Sequence, residues 1–233
     1  EISAKILAAA SQGTAVLVNA VTGAGKTELV YETMAWFMAR GKSVGFASPR
    51  HDVVLELKPR IEAAFPQAHV VAVCHGHTDD LAGDIVVLTA HQLYRYKNYF
   101  DFLVFDEIDA FPYAGNEMLR RFFAAAARGS YVLMSATPDS EDIARIKGEG
   151  GIILHLGVRY HGKAMPVPEC IRCRASVWLC ALRELKNLRG RGFPVFVFVP
   201  TIRKARDLAL FLRLFVPNGS SVDSKDPDRD RKI

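Results

Sequence analysis

Ala20-Val21-Thr22-Gly23-Ala24-Gly25-Lys26-Thr27-Glu28 is the stretch whose reading decides the fold. Ahead of it, Ala15-Val16-Leu17-Val18 is an apolar run of the length of a buried strand. Behind it, Leu29, Val30, Met34, Phe37 and Met38 fall at helical spacing, and Gly41 supplies a stop. Strand, glycine loop and helix in that order form the setting a phosphate-binding loop requires. Its glycines let successive backbone N–H groups turn inward on a polyphosphate, and the start of the helix adds partial positive charge. Thr22, Gly23, Ala24, Gly25, Lys26, Thr27 and Glu28 are therefore the candidate ATP-binding residues. Lys26 would reach the β/γ-phosphates as a point charge, and Thr27 would ligate Mg²⁺. Ala20 stands where the usual pattern has its first glycine. A chance glycine turn is the competing reading, and the shared register of strand, Gly25-Lys26-Thr27 and helix weighs against it.

A second motif lies downstream. Phe102-Leu103-Val104-Phe105 is again an apolar run, and it ends on Asp106-Glu107-Ile108-Asp109. A carboxylate at the C-terminal end of a strand in an open α/β sheet sits in the ligand crevice. Asp106 is expected to share Mg²⁺ with Thr27, through water. Glu107 suits a general base or water-positioning group. Lys26, Asp106 and Glu107 are thus the catalytic candidates, against the alternative of a solvated acidic turn. Tyr131-Val132-Leu133-Met134 ends on Ser135-Ala136-Thr137, whose hydroxyls fall at the same sheet edge. Asp109, Ser135 and Thr137 are read as coupling residues that sense the state of the acidic motif. Thr137 or Asp139 also reads as the N-cap of a helix after Pro138, and both readings hold together.

The remaining chain repeats the pattern. Short apolar runs at Val44–Ala47, Val70–Val73, Ile85–Leu88 and Ile152–Leu154 alternate with helical spacing over Ile2–Ala10, Val53–Phe65, Glu117–Ala127 and Ser140–Lys147. The runs lack polar alternation, as in a parallel sheet covered on both faces, so the class is α/β. Formal net charge is +5, which favours a polyanionic partner. No apolar run approaches the ~20 residues of a membrane span, and no signal peptide is read. Four cysteines in 233 residues do not suggest a disulfide scaffold, so a reducing, cytoplasmic setting is expected. His161–Pro168 has the look of a linker, and beyond it lie a helix (Val177–Leu188), a strand (Val195–Val199), a helix (Ile202–Phe215) and a charged end. The expected organisation is a P-loop NTPase domain over residues 1–157, a linker over 158–176, and the incomplete start of a second domain over 177–233. The chain opens at Glu1 rather than Met, which is read as a fragment or trimmed segment.

Taken together, the three motifs resemble the superfamily 2 helicase and translocase core. Ala20–Glu28 matches its first motif, Asp106–Asp109 its DExD box and Ser135–Thr137 its S-A-T motif. Phe46-Ala47-Ser48-Pro49-Arg50 resembles motif Ia and Leu88-Thr89-Ala90-His91-Gln92-Leu93 motif Ib. The resemblance implies RecA-like domains with helices on both faces of a mostly parallel sheet, and a nucleic-acid backbone lying along Arg50, Thr89, His91 and Gln92. More narrowly, Asn19–Glu28, Asp106-Glu107-Ile108-Asp109-Ala110-Phe111-Pro112, and Arg159-Tyr160-His161-Gly162 with Pro166-Val167-Pro168 are similar to the ComFA family of late competence proteins.

That resemblance runs from about Ala15 to the C-terminus. It implies a DNA-dependent ATPase that moves single-stranded DNA in natural transformation, using ATP and Mg²⁺. Its implied partners are single-stranded DNA and other competence proteins at the inner face of the cell membrane, with the protein itself peripheral there. The family's four-cysteine zinc site precedes the motor core, so zinc is expected only in a segment before Glu1. Motifs V and VI of the second domain, with its arginine finger, are missing, so this stretch alone is expected to be nearly inactive. The competing readings are another superfamily 2 motor, for replication restart or RNA, and a P-loop scaffold that holds nucleotide without turnover. Cys170-Ile171-Arg172-Cys173 with Cys180 has ligand-like spacing, but a closed zinc site needs four ligands. His155 or His161 would have to complete it, and unlinked thiols are the favoured reading. Cys74 is assigned to the core, and His75 and His77 to a loop.

Overall fold

The computed structural model describes residues 1–21, 23–157, 167–173, 176–216 and 222. The chain divides into two compact units, Glu1–Met165 and Pro166–Ile233. The first unit contains α1 (Ile2–Ser11), β1 (Val16–Ala20), α2 (Lys26–Leu29), α3 (Tyr31–Met38), β2 (Val44–Ser48), α4 (His51–Ala64), β3 (Val70–Val73) and β4 (Ile85–Thr89). A 3₁₀ turn over Ala90–Arg95 follows, then β5 (Phe100–Phe105), α5 (Glu117–Ala126), β6 (Ala127–Ser135), α6 (Ser140–Gly148) and β7 (Ile152–Leu156).

The seven strands form one sheet in the order β3-β4-β2-β5-β6-β1-β7, with every described pairing parallel. Successive side chains on a strand point to opposite faces. Here both faces are covered, which explains why the strands read as unbroken apolar runs. Val16, Val18, Phe46, Val87, Val104 and Met134 pack on one face with Ile6, Met34, Phe37 and Ile61 from the helices. Leu17, Leu88, Leu103, Phe105 and Leu133 pack on the other with Leu93, Tyr113, Leu119, Phe123 and Ile146.

Because the strands are parallel, their C-terminal ends share one edge. Ala20, Ser48, Thr89, Phe105 and Ser135 all close strands there. β6 lies between β1 and β5, so the glycine loop and the acidic motif each stand one strand away from Ser135.

Two local departures from the sequence reading have physical causes. The helix after the glycine loop breaks at Val30, whose N–H reaches Thr27 O at 3.4 Å, a three-residue step that tightens the turn. β6 starts earlier than its apolar run suggests, because its polar first half still pairs with β5 through an irregularity opposite Asp101. Gly129 sits in that irregularity, where a Cβ would meet the Asp101 carbonyl oxygen at 2.3 Å.

The second unit holds α7 (Val177–Gly190) and α8 (Ile202–Arg213). Leu182, Leu185 and Val216 form a small buried cluster in it, with Val195, Phe211 and Leu212 packed against them, and Leu208 of α8 is buried as well. The strand read over Val195–Val199 is not formed: these residues carry no ladder, and Phe198 is 92% exposed. A strand needs a neighbour for its N–H and C=O groups, and no described residue of this unit supplies one. Most of the linker segment His161–Pro168 and the charged end lie outside the described residues. Among the described residues, no helix is long and apolar enough to cross a membrane.

Gly129→Ala should destabilise the first unit by about 1–3 kcal/mol, because the obstacle is backbone and cannot swing aside. Thermal or urea unfolding of the variant checks this, and a change under roughly 0.5 kcal/mol would mean that β6 repacks freely there.

Candidate active site

The glycine loop bends where its glycines allow it. Gly23 has φ +79° and Gly25 φ +74°, left-handed values that a side chain resists. Ala24 between them is buried, and its N–H donates to Val21 O at 3.2 Å. The bend delivers Lys26 and Thr27 to the sheet edge. Thr27 is buried, and Lys26 Nζ stands 3.6 Å from Asp106 Oδ1, with the two side chains only 15% and 12% exposed.

Asp106 is held there by the sheet itself. Its N–H donates to Ala47 O at 2.9 Å, carrying the β5–β2 ladder one residue past the strand. Its Oδ1 accepts the N–H of Glu107 at 2.9 Å. Burial pushes its carboxyl above the ordinary value, and the Lys26 charge pulls the other way. A buried carboxylate with one cation beside it is suited to a second, stronger cation.

Glu107 is the strained member. Its φ is +59°, a left-handed conformation that costs a side-chain-bearing residue roughly 1–2 kcal/mol. The turn is pinned on both sides: Ile108, almost fully buried, donates to Met134 O at 3.2 Å, and Ala110 N–H donates to Glu107 O at 2.9 Å. Glu107 Oε2 is buried and has no hydrogen-bond partner among the described residues. Leaving a buried acceptor unpaired costs free energy, and such groups call for an explanation in function.

Asp109 closes the constellation. Thr137 Oγ1 donates to Asp109 Oδ2 at 2.6 Å, and Thr137 N–H donates to Ser135 Oγ at 2.9 Å. Burial acts to raise the Asp109 carboxyl, but hydrogen bonds from Thr137 and Ser135, with the Lys26 charge, hold it below the ordinary value. The fold therefore gathers Lys26, Thr27, Asp106, Glu107, Asp109, Ser135 and Thr137. Thr22 lies outside the described residues. Glu28 is turned to Arg60 of α4, at 2.9 Å.

Arg50, Thr89, His91 and Gln92 follow the same edge farther along, Thr89 as the last residue of β4 and the others just past the ends of β2 and β4. Arg50 is exposed at the N-cap of α4 and His91 is exposed. Thr89 is nearly buried, and Gln92 Oε1 accepts Arg95 Nε at 2.5 Å. Sequence reasoning missed Arg120 of α5, whose side chain meets Asp139 and Glu141 of the next helix turn. The Asp139 cap was legible, but a partner so distant in sequence was not. The free cysteines include buried Cys74 and exposed Cys170. Among the described residues, no group of three or more His, Cys, Asp and Glu could hold a metal; His161 lies outside them.

A family model described as "Type III restriction enzyme, res subunit" matches residues 1–140. The chain is 33% identical over 243 residues to competence protein ComFA of Bacillus subtilis (strain 168), covering 98% of this chain and 52% of that protein. It is 31% identical over 235 residues to competence protein ComFA of Streptococcus pneumoniae (strain ATCC BAA-255 / R6), covering 94% and 52%. The chain thus spans about half the length of these curated relatives. The crystal structure of a hypothetical ATP-dependent RNA helicase from Sulfolobus tokodaii superposes with a TM-score of 0.54 at 20% identity, over 99% of this chain and 72% of that one. The DUF1998 helicase MrfA bound to DNA and AMPPNP gives 0.63 at 12% identity, over 91% and 35%. At these identities the likeness establishes a shared RecA-like helicase fold.

Glu107→Gly should stabilise the first unit by roughly 0.5–1.5 kcal/mol, since it relieves the left-handed strain and removes the unpaired carboxylate at some cost in chain entropy. Denaturant unfolding reads this directly. A loss of stability would show that Glu107 is not strained in the native turn.

Proposed function

Because the chain belongs to the family of the type III restriction enzyme res subunit, we propose that it is the ATP-binding motor domain, with the start of a second, of a DNA-dependent ATPase. The motor moves single-stranded DNA and serves DNA uptake in natural transformation. The observation that carries the ATP site is the buried Lys26–Asp106 pair at 3.6 Å, with Glu107 Oε2, next in sequence, without a hydrogen-bond partner among the described residues. The competence role and the preference for single-stranded DNA rest on the likeness to ComFA over nearly the whole chain.

The residues present fit Mg-ATP. Asp106 offers a carboxylate that burial makes short of positive charge, Thr27 a hydroxyl, and Lys26 a cation in a loop shaped by left-handed glycines. Thr27 and Asp106 would hold the Mg²⁺, and Gly23 to Lys26 the phosphates, with Glu28 and Thr22 flanking. When bound, Mg²⁺ would supply positive charge to the phosphate oxygens. Glu107 would take the proton of the attacking water at Oε2, the oxygen that has no donor among the described residues. Asp109, Ser135 and Thr137 would report the state of that site through the hydrogen bond between Thr137 and Asp109.

Arg50, Thr89, His91 and Gln92 would meet the DNA backbone, which fixes position without reading sequence. Partner competence proteins at the inner membrane face, and a peripheral cytoplasmic location, follow from the same likeness. So does a zinc site in a preceding segment. Residues 177–233 would open the second RecA-like domain after a linker over 158–176. An arginine finger from such a domain contributes on the order of 10³–10⁵ in rate, so this chain alone would bind nucleotide and hardly turn it over.

Steady-state ATPase of the full-length protein, with single-stranded DNA, with RNA and with neither, tests the proposal. DNA should stimulate turnover, RNA should not, and the isolated 233-residue chain should stay near background. Glu107→Gln should keep Mg-ATP affinity and lose roughly 10²–10⁴-fold in turnover. Equal stimulation by RNA would contradict the DNA assignment. A Glu107→Gln enzyme at the parent rate would remove that residue from the chemistry.

A further inference from the structure

Arg120 on α5 is not one of the motif residues, yet its side chain is only 14% exposed and faces the first turn of α6. Nη1 donates to Glu141 Oε2 at 2.9 Å, and Nη2 donates to Asp139 Oδ2 at 3.3 Å and stands 3.9 Å from Asp142 Oδ1. Asp139 divides its two oxygens: the second caps α6 by accepting the Asp142 N–H at 2.7 Å. Asp142 is itself buried and takes Arg145 Nη2 at 3.1 Å. Two guanidinium groups thus face three carboxylates packed into one helical turn.

The position of this cluster gives it meaning. α6 begins directly after Ser135-Ala136-Thr137-Pro138. α5 follows the acidic turn, and between the two Tyr113 is buried and packed on Phe105 with ring centres 4.1 Å apart. The two loops also meet through the hydrogen bond from Thr137 to Asp109. Arg120 spans the same gap from behind. The cluster is poorly built as a simple brace, because Arg120 Nε and Arg145 Nε are both buried with no hydrogen-bond partner among the described residues. A buried polar cluster with unmet donors is costly to keep and is weak evidence for stability.

We infer that Arg120 is a positioning residue: its clamp on the cap of α6 holds the Ser135–Thr137 loop against Asp109 and so transmits the state of the nucleotide site to the moving parts. The inference rests on the motor reading above. Without Arg120, Asp139, Glu141 and Asp142 repel one another, the first turn of α6 loosens, and Thr137 is no longer held in register with Asp109. Nucleotide binding, which uses the glycine loop and Asp106, is left in place.

The experiment uses the full-length protein as parent, Arg120→Ala, Arg120→Lys, Thr137→Val and the double variant Arg120→Ala/Thr137→Val. Nucleotide affinity, KM for ATP, kcat with and without single-stranded DNA, and melting temperature are read for each. Arg120→Ala should keep affinity and KM within about twofold and lose about tenfold in DNA-stimulated kcat. Arg120→Lys should recover part of that loss, since an ammonium meets one carboxylate where the guanidinium meets two. The double variant should fall no lower than Thr137→Val alone, because both changes break one device. Additive losses, or a lowered melting temperature with stimulated kcat unchanged, would overturn the inference. If Arg120→Ala fails to fold, Arg120→Lys alone and combined with Thr137→Val decides by the same additivity. A parent without nucleic-acid-stimulated ATPase would instead refute the motor reading, and that is read before any Arg120 variant.

Discussion

The ion pair of Lys26 with Asp106 is the interaction on which the rest of the structure depends. Two opposite charges 3.6 Å apart, both largely removed from water, are costly to assemble and are weak evidence for stability. Keeping them together requires two chain segments far apart in sequence to arrive at one edge. The parallel sheet does this. β1 and β5 end at the same edge, β6 separates them by one strand, and the Asp106 N–H continues the β5–β2 ladder onto Ala47. The apolar layers on the two faces hold those strand ends fixed, so the electrostatics inherit the precision of the packing.

Around that pair the fold accepts local costs that a merely stable protein would shed. Glu107 sits in left-handed backbone and keeps a buried oxygen that is unpaired among the described residues. Asp106 carries a carboxyl raised by burial. Strain and an unmet hydrogen bond concentrated at one edge, beside a loop with two left-handed glycines, are what the proposed Mg-ATP site would use. The hydrogen bond of Thr137 to Asp109 and the Arg120 cluster behind it tie this edge to α6.

Much of the architecture was legible in the sequence, because burial on both sheet faces writes strands as plain apolar runs. Val16–Val18, Phe102–Phe105 and Val132–Met134 needed no tertiary knowledge to be recognised, and the motif at each strand end marked the site edge. What the sequence did not expose depended on contacts between distant segments. The placement of β6 between β1 and β5 has no local signature. Gly129 reads as an ordinary glycine until Asp101 comes within reach of it. The left-handed Glu107 is dictated by Ile108 reaching across to Met134, and the Arg120 partners arrive on another helix. Val195–Val199 failed in the opposite sense: the local pattern is that of a strand, but a strand exists only with a neighbour.

The central claim is that the Lys26–Asp106 pair is the nucleotide site at rest, with Lys26 the cation that an incoming polyphosphate takes over. Calorimetric titration of a non-hydrolysable ATP analogue with Mg²⁺ into the full-length protein and its Lys26→Ala variant measures this most directly. The parent should bind, and the variant should show no detectable heat at the same concentrations. Equal affinity in the two proteins would mean that nucleotide binds elsewhere and that the pair is only a buried salt bridge.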